Sequence, residues 1–324
     1  MNASRAPANA RPTLLVTVRD SVSLCAFDVE TGDSVGIAKT GEEGVAKPHE
    51  FAVTKDGRTA FTSIYGNRGY GTNDKPDKRL GIVDLETMTT TGMVDLDLYR
   101  APHGMDTDRD GMIWVTAEVN RCALVVDPDA RKIARSIWME APVHFLAQSR
   151  DGKRMYFSHK EIPFVSVVDI ERKQVAGRIG LPIGSQAVFV SPDDRFLYVG
   201  DFNRPMLHVI DCATNALART VPLKAVPGWP YATPDGKYVI VTTYDEPNDR
   251  GYIEILRAAD LSPAGVVEAG AEPFHVLAAG DGRHIYVALG DGRIPKIDLE
   301  RAQIAEDRMK ANGTGAEKLM IVPR

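Results

Sequence analysis

Three of the seven histidines in this 324-residue sequence stand at one fixed distance from a recurring turn. His49, His103 and His144 each precede the aspartate of an Asp-Gly pair (Asp56-Gly57, Asp110-Gly111 and Asp151-Gly152) by seven residues. Neutral imidazole is a common ligand for divalent transition metals, and three protein ligands leave the open coordination position that catalytic sites use. Such a set would support activation of water or polarisation of a carbonyl, with zinc, iron or manganese as the ion. The equivalent positions before the next three turns hold Gln186, Gly228 and Phe274. Gln186 is a candidate substrate contact. His275, directly after Phe274, is a fourth candidate ligand if a small bulge turns it inward. A single histidine of this kind would ordinarily hydrogen-bond only backbone or water; the repetition is what points to a site.

Other residues with usable chemistry fall in the turns expected beside these histidines. Glu118, in Val115-Thr116-Ala117-Glu118, and His159, in Phe157-Ser158-His159, are candidates for moving a proton or orienting a ligand. Asp201 with Asn203 and Asp245 with Glu246 occupy comparable turns. The stretch Tyr65–Arg79 is a Gly-rich insertion and a candidate lid, with Tyr65 and Tyr70 as substrate contacts. Its glycines do not form a phosphate-binding motif ahead of a helix, so no nucleotide cofactor is expected. Arg100, before Ala101-Pro102-His103, is positioned either to hold a substrate carboxylate or to pair with an aspartate. Trp229 offers either aromatic surface to a small molecule or a wedge between structural units. His208 and His284 read as structural.

The elements that must position these residues follow from internal repetition. Asp-Gly-type turns at Asp56, Asp110, Asp151, Asp193, Asp235 and Asp281 each precede a short β-branched or aromatic run, the pattern of a hairpin. An aspartate closing an alternating apolar run recurs at Asp28, Asp84, Asp127, Asp169, Asp211, Asp260 and Asp298. The spacing is 42 or 43 residues between Asp84 and Asp211 and is stretched where loops are inserted. Four short strands with their turns fill such a period, the length of one propeller blade. Residues 1–11 read as an irregular tail and residues 12–324 as one all-β, seven-bladed propeller of four-stranded antiparallel blades. Thr13–Gly41 supplies strands b, c and d of a blade without its inner strand a. Glu317–Val322, after a helical or irregular stretch, is a lone apolar strand, so it is expected to complete that N-terminal blade and remove an open sheet edge.

Lys47-Pro48-His49-Glu50-Phe51, Tyr99-Arg100-Ala101-Pro102-His103-Gly104 and the Val-Val-Asp strand endings give the chain a further character. On these segments it resembles the YVTN-repeat propellers, also described as YncE-like or lactonase-like. The resemblance implies the fold over nearly the whole chain; for function it implies only a frame that hosts binding scaffolds, lyases, lactonases and oxidoreductases.

Composition narrows the partners. Net charge is −5, which disfavours a duplex nucleic-acid surface. Cys25, Cys122 and Cys212 show no Cys-x-x-Cys spacing and read as buried thiols. No secretion signal and no 18-residue apolar run is present, so a cytoplasmic protein off the membrane is expected, monomeric or weakly oligomeric. Two function classes remain. One is a metal-dependent hydrolase or lyase, lactonase-like, acting on a small organic molecule at the channel mouth. The other is a non-catalytic propeller serving as a binding scaffold. A serine hydrolase is disfavoured by the absence of a Gly-x-Ser-x-Gly turn.

Overall fold

The computed structural model describes residues 12–42 and 46–323; the expected N-terminal tail lies outside them. Seven four-stranded antiparallel sheets form a ring, a seven-bladed all-β propeller. Blade 1 has the order Ala316–Pro323, Pro12–Val18, Ser23–Asp28, Ser34–Lys39 from strand a to strand d. The C-terminal strand therefore completes the N-terminal blade, pairing Thr13 with Val322 and Val16 with Leu319. The stretch before it is not helical: strand d of blade 7, Gln303–Glu306, is followed by irregular chain with an isolated bridge between Arg293 and Lys310. Among the described residues no helix is long and apolar enough to cross a membrane.

The a–b turns take the form their sequence dictates. Gly57, Gly111, Gly152, Gly236 and Gly282 have φ between +69° and +88°, a region open to glycine at no steric cost, and Asp194 takes φ +59° at the turn that lacks glycine. The strand-closing aspartates cap c–d turns, as where Asp28 Oδ1 accepts the amides of Glu30 and Thr31 at 2.8 and 2.9 Å. Asp260 is the exception, lying beyond the end of its strand c, Arg250–Arg257.

Apolar packing lies between blades and not on the axis. Seven buried clusters each join two neighbouring blades; Phe61, Leu80 and Ile82 of blade 2, for instance, pack on Val115, Leu124 and Val126 of blade 3. The three cysteines are free and buried. With both faces of each blade covered, the axis is left to the inner strands, whose side chains are free to be polar.

One buried carboxylate works against this packing. Glu254, in strand c of blade 6, accepts from the Lys224 amide at 2.8 Å and the Thr243 hydroxyl at 2.9 Å, yet burial raises its pKa above the ordinary 4.5. The folded state therefore keeps a proton that the unfolded state loses first, so stability falls as pH rises from about 4.5 toward the folded pKa. Glu254→Gln keeps both accepted bonds without the charge. Its urea midpoint is expected to match wild type near pH 4 and exceed it at pH 7; equal midpoints at both would overturn this.

Candidate active site

The inner strands share a local irregularity that sets up the site. Ladder pairing skips two residues near the start of strand a: His49-Glu50, His103-Gly104, Gln186-Ala187, Gly228-Trp229 and Phe274-His275 are passed over in their blades. In blade 4 the strand proper begins at Leu146, just after His144-Phe145. Such bulges re-aim side chains while interrupting the ladder. In blades 1, 3, 4 and 6 the second amide of this segment is satisfied by a hydroxyl from strand b, which then donates to the next blade. Thr116 Oγ1 accepts from the Gly104 amide and donates to the His144 carbonyl, both at 2.8 Å. Thr17 links the Lys318 amide to the His49 carbonyl in the same way, Ser158 links Phe145 to Gln186, and Thr242 links Trp229 to Phe274. The His49 and His144 backbones are thus each tied to the preceding blade. Gly104 is required at this crossing, since a Cβ there would stand 2.9 Å from the His144 carbonyl oxygen.

The three repeat-position histidines come together, all at most 7% exposed. Their rings form a row, with centroids 4.8 Å apart for His49 and His103 and 4.2 Å for His103 and His144, tilted by 35° and 34°. A carboxylate holds each outer ring: His144 Nδ1 donates to Glu118 Oε1 at 2.9 Å, and His49 Nδ1 to Glu317 Oε2 at 2.8 Å. Arg19 anchors Glu317 at 2.9 Å. The buried Tyr65 hydroxyl donates to the other oxygen of Glu118, and the Tyr65 ring meets His49 and His103 edge-on. His49 Nε2 and His103 Nδ1 are buried without a hydrogen-bond partner. Burial, with neighbouring imidazoles and Lys160 adding to it, holds His103 and His144 well below the ordinary imidazole pKa, so both are neutral at pH 7. Burial also pushes the Tyr65 phenol up and keeps it protonated as a donor. Among the described residues no three His, Cys, Asp or Glu side chains are already arranged to hold a metal ion.

The remaining candidates divide. Tyr70 is brought to the mouth by a connection shorter than the sequence suggested, since strand b of blade 2 runs through Tyr65 to Gly66 and strand c starts at Pro76. Its ring lies 6.1 Å from His144 and 5.9 Å from Phe202, and its hydroxyl donates to Glu161, so the loop reaches from blade 2 to blades 4 and 5. Trp229 sits in the channel, 4.9 Å from Phe145 and 4.5 Å from His275, with Nε1 buried and unpartnered. His275 joins the group through Trp229 and not directly; its Nδ1 accepts the Leu319 amide at 3.4 Å. His159 has both ring nitrogens engaged, Nδ1 donating to the Pro142 carbonyl at 2.7 Å and Nε2 accepting from Ser166 at 2.8 Å, so it has no free nitrogen for proton transfer. Arg100 is exposed; the following Ala101 takes φ +54°, and its own amide bonds Asn120. No side-chain contact links Gln186 to the histidines among the described residues. His208, bonded to Asp201 and Thr220, is structural as read.

One buried cation, Lys160, has no sequence signature, whereas Glu50, the carboxylate after His49, finds the basic partner that its interior position requires. Lys160, beside His159, is only 8% exposed. Glu50 is paired with Lys318 Nζ at 2.9 Å, yet burial pushes it up to about 7. Both Glu50 and Lys318 line a cavity of about 380 Å³ in the lower channel, with Phe145, Trp229, Tyr231 and His275 in its walls.

No family model matches the chain, and no curated protein matches it. Solved structures match its fold. A periplasmic gluconolactonase of Pseudomonas aeruginosa, PpgL, shares 17% identity over 96% of this chain and 99% of that one, with a TM-score of 0.75. A functionally unknown protein of Desulfotomaculum acetoxidans gives a TM-score of 0.77 at 11% identity, over 95% and 98% of the two chains. Hydrazine synthase of Kuenenia stuttgartiensis gives 0.71 at 17% identity, over 86% and 95%. A lactonase-like or YncE-like propeller therefore fits at the level of the fold.

Proposed function

We propose that this chain is a hydrolase for a lactone or related small ester, working at the mouth of the channel around His49, His103 and His144. The observation that carries the reading is the row of three imidazoles from consecutive blades, its outer two oriented by carboxylates and two of its nitrogens unpartnered. The structural likeness to a gluconolactonase supports it through the fold alone.

The chemistry follows from the groups in place. His144, neutral and held through Nδ1 by Glu118, presents Nε2 as a base that takes a proton from an attacking water. Glu118 then stabilises the imidazolium, as the carboxylate does in a catalytic triad. Tyr65 keeps Glu118 in place by donating to its second oxygen. The proton passes from the imidazolium to the leaving alkoxide, and the ring-opened product carries a carboxylate. The donor set also fits a divalent transition metal such as zinc, iron or manganese: carboxylate-backed imidazoles with free nitrogens are what such ligands look like, and His49, His103 and His144 would hold it. When bound it would polarise the carbonyl.

The test is elemental analysis of tag-free, chelator-free protein together with hydrolysis of D-glucono-δ-lactone, in wild type and His103→Ala. About one equivalent of metal, lost in the variant along with turnover, supports the full reading. Turnover without metal leaves the His144–Glu118 pair as the working unit. Neither metal uptake nor turnover on any lactone would move the chain to the scaffold class.

A further inference from the structure

We infer that Lys160 is the anchor for a carboxylate on the ligand, which makes the site selective for organic acids or acid-bearing lactones. This rests on the same channel mouth as the proposed hydrolase but does not need its chemistry.

Lys160 follows His159 in the b–c loop of blade 4 and is 8% exposed, an unusual position for an unpaired ammonium. Among the described residues its Nζ has no ion-pair or hydrogen-bond partner; it stands 3.9 Å from the Tyr70 ring centroid and 5.4 Å from that of Phe202. Three carboxylates act on it electrostatically, and all three are committed elsewhere. Glu118 holds His144 and Tyr65, Glu161 accepts from Tyr70, and Glu317 holds His49 and Arg19. Aromatic faces alone compensate a cation only in part. A buried ammonium left in that state has the geometry of an anion site whose anion comes from outside. The Tyr70 ring that lies 3.9 Å from the Lys160 Nζ is itself 6.1 Å from the His144 ring, so a carboxylate held at Lys160 keeps the rest of a small molecule close to the imidazoles. Tyr70 covers the ammonium from the blade 2 loop.

Calorimetric titration with matched pairs tests this: acetate against acetamide, D-gluconate against D-glucitol, benzoate against benzamide. Wild type is expected to prefer the acid in at least one pair by roughly ten- to hundredfold, the range of a charge-assisted hydrogen bond. Lys160→Met should abolish the preference and Lys160→Arg retain part of it, with near-ultraviolet circular dichroism confirming that both variants keep the fold. Absence of acid preference in every pair, or a preference undiminished in Lys160→Met, would overturn the assignment. Acid binding that depends on Lys160 in a protein that opens no lactone would sustain it while removing the hydrolase reading.

Discussion

A chain ending at Gly315 is expected to lose the cooperative unfolding transition of the whole propeller, not of one blade. The segment removed supplies strand a of blade 1, and with it Ala316, Leu319 and Val322, which are 0%, 1% and 6% exposed. Leu319 belongs to the blade 7–blade 1 cluster and Val322 to the blade 1–blade 2 cluster, so both seams next to the closure open together. Losing several buried side chains and a ladder of hydrogen bonds costs roughly 10 kcal/mol, comparable to the total stability of an ordinary domain. Strand Pro12–Val18 becomes an uncovered edge, which favours aggregation. Leu319→Ala is the graded version, expected to cost about 2–5 kcal/mol while the ring still forms. Thermal unfolding followed by circular dichroism decides it. A truncated chain melting like wild type would show that the ring holds without closure.

Glu118→Gln is expected to lower kcat for lactone opening by about 10²–10⁴-fold with little change in KM, by analogy with the carboxylate of a catalytic triad. Glu118 accepts from His144 on one oxygen and from Tyr65 on the other, and both donors are buried. A glutamine accepts only through its single oxygen, and its amide group faces whichever donor remains. His144 is then free to turn or change tautomer, and no charge stands behind its imidazolium. Stopped-flow or steady-state kinetics, with a thermal melt to show the fold intact, checks this. Unchanged kcat would remove Glu118 and His144 from the proton path.

The features legible in the sequence were those fixed by short-range chemistry and amplified by repetition. Asp-Gly turns and strand-closing aspartates depend on a few neighbouring residues, so they marked the blades and exposed the missing strand at Ala316–Pro323. The same register aligned His49, His103 and His144. Groups whose role depends on distant chain were not legible. Lys160 looks like any loop lysine until Tyr70 and Phe202 cover it, and Glu317 reads as a strand residue until the ring brings His49 alongside. His159 shows the reverse: its type and place suggested proton transfer, but Pro142 and Ser166 occupy both nitrogens. The hydroxyls of Thr17, Thr116 and Ser158, which tie one blade's bulge to the His49, His144 and Gln186 carbonyls of the next, belong to common strand residues, and only the three-dimensional register gives them that task.

The pairing of His49 with Glu317 also bears on the order of events at the ribosome. Domains generally assemble from the N-terminal side as synthesis proceeds, and blades 2 to 6 have all their strands long before Ala316–Pro323 emerges. His103, His144 and Glu118 are available by then, whereas His49 lacks its orienting carboxylate and Glu50 its lysine until the final strand arrives. Nascent chains therefore pass through a stage with most of the propeller made and the reactive row incomplete. The proposed site is completed only at ring closure, so a prematurely terminated product would lack both the closing seam and the carboxylate that orients His49, from the same missing strand.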